Sequence, residues 1–191
     1  SCAFCQVDKG QAPMPVDAAE AERVADAVEA MQLRYVVLTA VARDDLADHG
    51  ASLFTSTMAA IRARNPLIAL EVLTPDFWGG VADQDLALKA QRQRLATVLE
   101  AQPVCFNHNL ETVQRLQRSI RSGATYERSM SILRYAAEYD KGSIKVKSGI
   151  MLGLGETNEE VSQTMQDLYD NGVRLLTIGQ YMAPTRDHAH T

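Results

Sequence analysis

Apolar positions along this chain follow two rhythms that take turns, one of about four residues and one of unbroken short runs. Ala21, Val24, Val28 and Met31 fall on one helical face, and Asp17 and Glu20 stand before them at the spacing of a capping box, after Pro13 and Pro15. Tyr35 to Val41 (YVVLTAV) is β-branched and nearly all apolar, which predicts a strand buried on both sides. A polar stretch, ARDDLADHG, leads to a second helix with Phe54, Met58 and Ile61 aligned. The alternation then repeats. Ala69 to Pro75 (ALEVLTP) reads as a strand, Leu88, Leu95, Val98 and Leu99 as a helical stripe, and Val104 to Asn109 (VCFNHN) as a third strand. Two short helices follow, one with Val113, Leu116 and Ile120, the other with Tyr126, Met130, Leu133 and Ala137. Lys145 to Leu152 (KVKSGIML) is a fourth strand. Thr157 and Glu160 cap a helix with Val161, Met165 and Leu168 that stops at Gly172, and Leu175 to Tyr181 (LLTIGQY) is a fifth strand.

Strand–helix alternation with buried strands predicts an α/β fold with a parallel sheet and right-handed crossovers. Five strands are too few for a closed eight-stranded barrel of ~250 residues. No G-x-G-x-x-G follows the first strand. A partial barrel is the expected architecture, with polar residues at the C-terminal strand ends facing the ligand. Those ends carry Thr39 followed by Arg43, Asp44 and Asp45; Glu71, then Asp76; Asn107, His108, Asn109 and Glu111; Lys145, Lys147 and Ser148; and Gln180. A carboxylate in a buried strand must be paired, so Glu71 has either a structural partner or a ligand. Each of these residues alone is as readily structural as functional; as a set on one rim they point to a binding site. In SGIMLGLGET, Gly153 and Gly155 loosen the backbone, and exposed N–H groups at the helix start favour an anion or a close-packed ring, a tight βα turn being the plainer alternative.

Composition acts by exclusion. A chain of 191 residues, 46% hydrophobic and 23% charged, fits one ordinary globular domain. A net charge of −5 argues against a nucleic-acid surface. No apolar run approaches the ~20 residues of a membrane span, and the opening residues show no signal-peptide pattern. Three cysteines fit a reducing compartment better than a disulfide scaffold. The first residue is Ser1 rather than Met, which allows a piece of something longer.

Two of the three cysteines, Cys2 and Cys5, form a C-x-x-C pair. It suits a redox dithiol, half of a zinc site, or part of an iron–sulfur cluster. A dithiol wants its first cysteine at a helix N-terminus after a strand, and here Pro13 and Pro15 intervene. A zinc site would recruit Cys105 and His108, which on a strand point to opposite faces. Cys105 therefore reads as a small core residue and His108 as a polar rim residue. An iron–sulfur cluster fits the placement best, although two thiolates are too few for a cubane.

The blocks SCAFCQV, YVVLTAVARDDLADHG, EVLTPDF, FNHNLETV, GATYERS, KSGIMLGLGET and LTIGQY, in this order, resemble the lipoyl synthase family of radical S-adenosylmethionine (SAM) enzymes, from Ser1 to about Thr191 without a gap. The resemblance implies a partial (β/α)6 TIM-like barrel whose first strand is missing from this chain, with 1–191 a single core domain truncated at both ends. The family's cluster loop reads C-x-x-x-C-x-x-C. By resemblance Cys2 and Cys5 are its second and third cysteines, holding a [4Fe–4S] cluster whose open iron takes SAM, and the first lies just before Ser1. Thr39 and Asp44, in the ARDDL loop, stand where the family contacts the SAM amino group. Gly149, Met151, Gly153 and Glu156 match the segment beside the adenine. Glu71, Asn107, Asn109, Glu111, Arg128, Lys147 and Gln180 are candidates for holding SAM or the substrate chain. No side chain is expected to be a catalytic group in its own right, since SAM and the clusters carry the chemistry.

The implied reaction cleaves SAM reductively to a 5′-deoxyadenosyl radical, which takes hydrogen from C6 and then C8 of an octanoyl group on a carrier-protein lysine. An auxiliary [4Fe–4S] cluster of the parent protein supplies the sulfur. Its N-terminal cysteine motif, and the C-terminal Arg-Ser-x-Ser-Tyr segment that caps it, are not in this sequence, so the chain alone is not expected to complete the reaction. Expected partners are the lipoyl domains of 2-oxoacid dehydrogenase complexes and the glycine-cleavage H protein, with a ferredoxin or flavodoxin as reductant. Neither nucleic acid nor membrane is expected as a partner, and the location is bacterial cytoplasm or an organellar matrix or stroma. Two other classes stay open: a Schiff-base lyase using Lys147, which would have no use for Cys2 or Cys5, and a non-catalytic zinc module.

Overall fold

The computed structural model describes residues 2–5, 7, 15–139, 143–185 and 188–189. Five strands alternate with helices and hydrogen-bond in chain order: β1 (Tyr35–Thr39), β2 (Ala69–Leu73), β3 (Cys105–Asn107), β4 (Lys145–Leu152) and β5 (Leu175–Gln180). The chain divides into two compact units, Ala12–Phe106 and a second made of Ser1–Gln11 with Asn107–Thr191.

In the first unit α1 (Glu20–Ala30) packs on α2 (Ala51–Arg64), and α3 (Gln84–Glu100) follows β2. β1 and β2 are parallel, in register from Tyr35 beside Ala69 to Thr39 beside Leu73. Phe54, Met58 and Ile61 are buried as the pattern predicted, as are Leu95, Val98 and Leu99. Two expectations need correction. β1 is covered on one face only: Val36 is buried, while Tyr35 and Val37 are 48% and 47% exposed. A strand's apolar run records its affinity for a sheet and not which faces find cover. Nor do Asp17 and Glu20 form a capping box. The N-cap is Ala19, without a side-chain bond, and the Asp17 carboxylate accepts instead from the Ala19 N–H. Pro13 lies outside the described residues.

In the second unit a 3-10 turn (Gln114–Leu116) runs into α4 (Gln117–Ile120), followed by α5 (Tyr126–Tyr139) and α6 (Asn158–Asp170). α5, at 14 residues, is a full helix rather than a short one. β4 and β5 are parallel, from Lys147 beside Leu175 to Leu152 beside Gln180. The capping box at α6 is complete: Thr157 Oγ1 accepts from the Glu160 N–H and the Glu160 carboxylate accepts from the Thr157 N–H. Gly172 ends that helix at φ 87°, and a Cβ there would lie 2.4 Å from the Ala137 Cβ.

Candidate functional site

The cysteine loop is seated on the C-terminal end of α4. Cys2 and Arg121 form an antiparallel bridge, and the Ala3 N–H donates to the Ile120 carbonyl at 2.7 Å. The Cys5 N–H turns back to the Cys2 carbonyl at 3.2 Å. Phe4 packs against Ile120, Leu154 and Tyr181, and the Ala189 N–H donates to the Ala3 carbonyl. The short C-x-x-C spacing thus closes a turn, with an apolar residue inside it as an anchor. Both thiols are partly buried, neither is in a disulfide, and Cys5 Sγ accepts from the Val7 N–H at 3.4 Å. Burial pushes the Cys2 thiol up, opposed first by the Arg121 guanidinium.

Beyond β3 the chain keeps pairing with β4. The His108 N–H donates to the Lys147 carbonyl, and the Leu110 and Glu111 N–H groups both donate to the Gly149 carbonyl. Two donors on one carbonyl make a bulge, and Glu111 adopts φ 72°, a region costly for a residue with a Cβ. Buried groups hold the bulge from behind. Ser148 Oγ accepts from the Leu110 N–H and donates to the His108 carbonyl, and Gln117 Nε2 donates to the Leu110 and Thr112 carbonyls. Gly149 lets β4 approach: a Cβ there would lie 2.6 Å from Asn109 Oδ1. Burial pushes the Glu111 carboxyl up, opposed by Arg121 and by a hydrogen bond from Asn109. Cys2, Asn109, Glu111 and Arg121 therefore share one electrostatic neighbourhood.

Gln180 ends β5, and a Cβ on Gly153 (φ +98°) would lie 2.3 Å from its Nε2, so that glycine serves a close approach. The expected anion slot beside Gly153 is not open, because Glu156 fills it: its carboxylate accepts from the Gly153 and Leu154 N–H groups at 2.5 and 2.9 Å. His108 is not a rim residue; it is buried against Ser129 and Arg121. Cys105 is buried, as a core residue should be. Lys145 and Lys147 lie in the first half of β4, which runs to Leu152, and so stand away from its C-terminal end. The Arg128 guanidinium reaches the Gly123 carbonyl at 3.3 Å.

Within the first unit, Thr39 ends β1 in an exposed position. Asp44 Oδ1 lies 3.3 Å from Nδ1 of the buried His49, near it but not directed as a hydrogen bond. Glu71 is buried and accepts from the Tyr35 hydroxyl at 2.5 Å, which gives it a structural partner. Asn107 is buried at the end of β3. Arg121 is the residue that sequence reasoning passed over. It sits one position before an ordinary Ser-Gly turn, and its burial and its bridge to Cys2 distinguish it only in the folded chain. Among the described residues no group of three or more His, Cys, Asp or Glu is placed to hold a metal ion, and no helix is long and apolar enough to cross a membrane.

The sequence model of the radical SAM superfamily matches residues 1–168. "Lipoyl synthase 2" of Parasynechococcus marenigrum is 69% identical over 98% of this chain and 62% of its own length. "Lipoyl synthase" of Rubrobacter xylanophilus is 50% identical over 98% of this chain and 54% of its own. The chain thus spans about three-fifths of these curated relatives. Among solved structures, methylornithine synthase (PylB) superposes with a TM-score of 0.71 at 14% identity, covering 98% of this chain and 51% of that one. At that identity the likeness shows the fold alone, an α/β partial barrel of parallel strands.

Proposed function

This chain belongs to the radical SAM superfamily, and from that premise we propose that it is the core domain, 1–191, of a lipoyl synthase. The observation that carries the proposal is the loop Cys2–Cys5, two thiols on one turn, bridged to Arg121 beside Glu111 and Asn109. Thiolates are the donors iron–sulfur clusters take. Burial disfavours ionisation of the Cys2 thiol, and coordination to a metal reverses that preference. The residues present therefore fit a cluster, with Cys2 and Cys5 supplying part of its ligands and the parent protein the remainder. When bound, the cluster supplies the electron that cleaves the SAM sulfonium to methionine and a 5′-deoxyadenosyl radical.

The chain's own residues bind and orient. Asn109 and Glu111, aimed by the bulge, offer an acceptor-rich edge suited to hydroxyl and ammonium groups. Gly149 in β4 and Gly153 just after it have no side chain where Asn109 and Gln180 approach, which lets those two amides lie close against the backbone. Thr39 and Asp44 are retained as candidates for the SAM amino group, and Asn107 as a candidate for holding SAM or the substrate chain. Glu71, bonded to Tyr35, and Arg128, bonded to the Gly123 carbonyl, are assigned structural roles, and Lys147 is retained as a candidate for holding SAM or the substrate chain. The substrate in this reading is an octanoyl group on a carrier-protein lysine, sulfurated at C6 and C8, with a ferredoxin or flavodoxin as reductant. The bacterial sources of the relatives favour a cytoplasmic enzyme.

The test uses the full-length parent, loaded with iron and sulfide without oxygen. Cys5→Ala is expected to reduce 5′-deoxyadenosine formation from SAM to background, and undiminished formation would refute the role given to Cys5.

A further inference from the structure

Three buried polar side chains meet behind the cysteine loop. His108, Ser129 and Arg121 are 1%, 0% and 8% exposed. Arg121 Nη1 donates to Ser129 Oγ at 2.7 Å, and its Nη2 lies 3.3 Å from His108 Nε2, which is 3.1 Å from the same Ser129 oxygen. A guanidinium has only donors, so His108 Nε2 must accept. Ser129 Oγ, accepting from Arg121, stands 3.1 Å from that nitrogen, which offers one lone pair to the two groups beside it. The network therefore assigns His108 as the neutral tautomer with its proton on Nδ1. A protonated ring would set two sets of donors against each other.

The outcome is a guanidinium with one geometry. Arg121 is pinned by Ser129 and His108 at its tip and by the Cys2 bridge at its main chain. Burying a fixed positive charge is costly, and its field is stronger in a site of low dielectric. That field falls on the Cys2 sulfur and on the Glu111 carboxylate. A positive charge beside a cluster favours the form carrying one more electron.

We propose that Arg121 is a positioning residue: locked by Ser129 and His108, it holds the Cys2 side of the loop in register, and its charge eases electron uptake by a cluster seated there. The proposal rests on the cluster-binding reading above, and the experiment separates the two. The parent enzyme and its Arg121→Gln, Arg121→Lys and Ser129→Ala forms are reconstituted anaerobically. Iron content, circular dichroism and an EPR-monitored potential titration are recorded for each. If the unsubstituted parent binds no cluster, the cluster reading itself fails. If it does, Arg121→Gln is expected to be reduced about tenfold less at a fixed donor potential, ~59 mV for a one-electron couple, or to lose its iron while keeping its helical signal. Arg121→Lys should restore the ratio to within about twofold, since the charge is what acts, and Ser129→Ala should fall between. Equal potentials and iron contents in all four proteins would overturn the proposal, as would a Lys form as impaired as the Gln form.

Discussion

Single atoms decide several positions in this molecule. Gly172 holds φ 87° with no space beside Ala137, so Gly172→Ala combines backbone strain with overpacking. It should lower stability by about 1–3 kcal/mol, read from the urea midpoint of the parent protein. Gly149→Ala is the contrasting case. Its new methyl would press on the Asn109 side chain at the candidate site, so the expected effect is a rise in the KM for SAM of about tenfold, the equivalent of ~1.4 kcal/mol, with little change in thermal midpoint. Tyr35→Phe removes the donor to the buried Glu71 carboxylate and should cost about 1–3 kcal/mol. It should leave SAM cleavage intact if Glu71 is structural; a selective loss of SAM binding would return Glu71 to the cofactor site. Cys2 and Cys5 were legible as a candidate pair because their spacing is local and closes one turn. Arg121 was not, because its partners lie 119, 13 and 8 positions away and no spacing rule joins them.

At the scale of elements, α6 shows how far local chemistry reaches. Thr157 and Glu160 satisfy two N–H groups that a helix start leaves open, and the structure contains both bonds that the spacing predicts. Thr157→Ala should cost ~1 kcal/mol. The same box has a pH signature. Glu160, paired first with Arg115 and then with the Thr157 N–H, is pushed down to about 2 from its ordinary 4.5. For Glu156 burial opposes ionisation, but the Gly153 and Leu154 N–H groups outweigh it and lower its carboxyl as well. A depressed carboxyl contributes its stability above the unfolded value and loses it as pH falls through the folded one. The contribution is therefore complete above about pH 4.5 and is lost towards pH 2. Glu160→Gln should flatten that acid limb in a pH series of urea midpoints. α1 shows the opposite case. Asp17 and Glu20 have the same spacing as Thr157 and Glu160, yet the helix begins at Glu20 itself, with Asp17 two residues outside its N-cap.

On the scale of the whole molecule, the packed interior of each unit comes from its helices and strands. Phe54, Met58 and Leu95 are buried in the first, Leu110, Leu133 and Leu168 in the second. The cysteine loop adds only Phe4 at the margin of a small cluster. Removing iron from the parent enzyme with a chelator should therefore abolish 5′-deoxyadenosine formation and leave the far-ultraviolet circular dichroism unchanged. Faster hydrogen exchange should be confined to the loop, beginning with the Ala3 amide that bonds Ile120. A global loss of helical signal would mean that the cluster is part of the core and not seated upon it.

The order and type of the elements, the parallel sheet and the C-x-x-C spacing that makes Cys2 and Cys5 candidate ligands were determined by the sequence alone, because periodicity, capping and short spacings act between residues that are neighbours along the chain. Which strand faces are covered, which arginine backs the cysteine loop, and that His108 is a buried acceptor were decided only by tertiary structure. Those properties depend on what stands opposite a residue in space. The hydrogen bond from Arg121 to Ser129 and the bridge from Arg121 to Cys2 are set by how the bulge at Glu111 and the end of α4 pack, and nothing in either segment read by itself encodes that meeting.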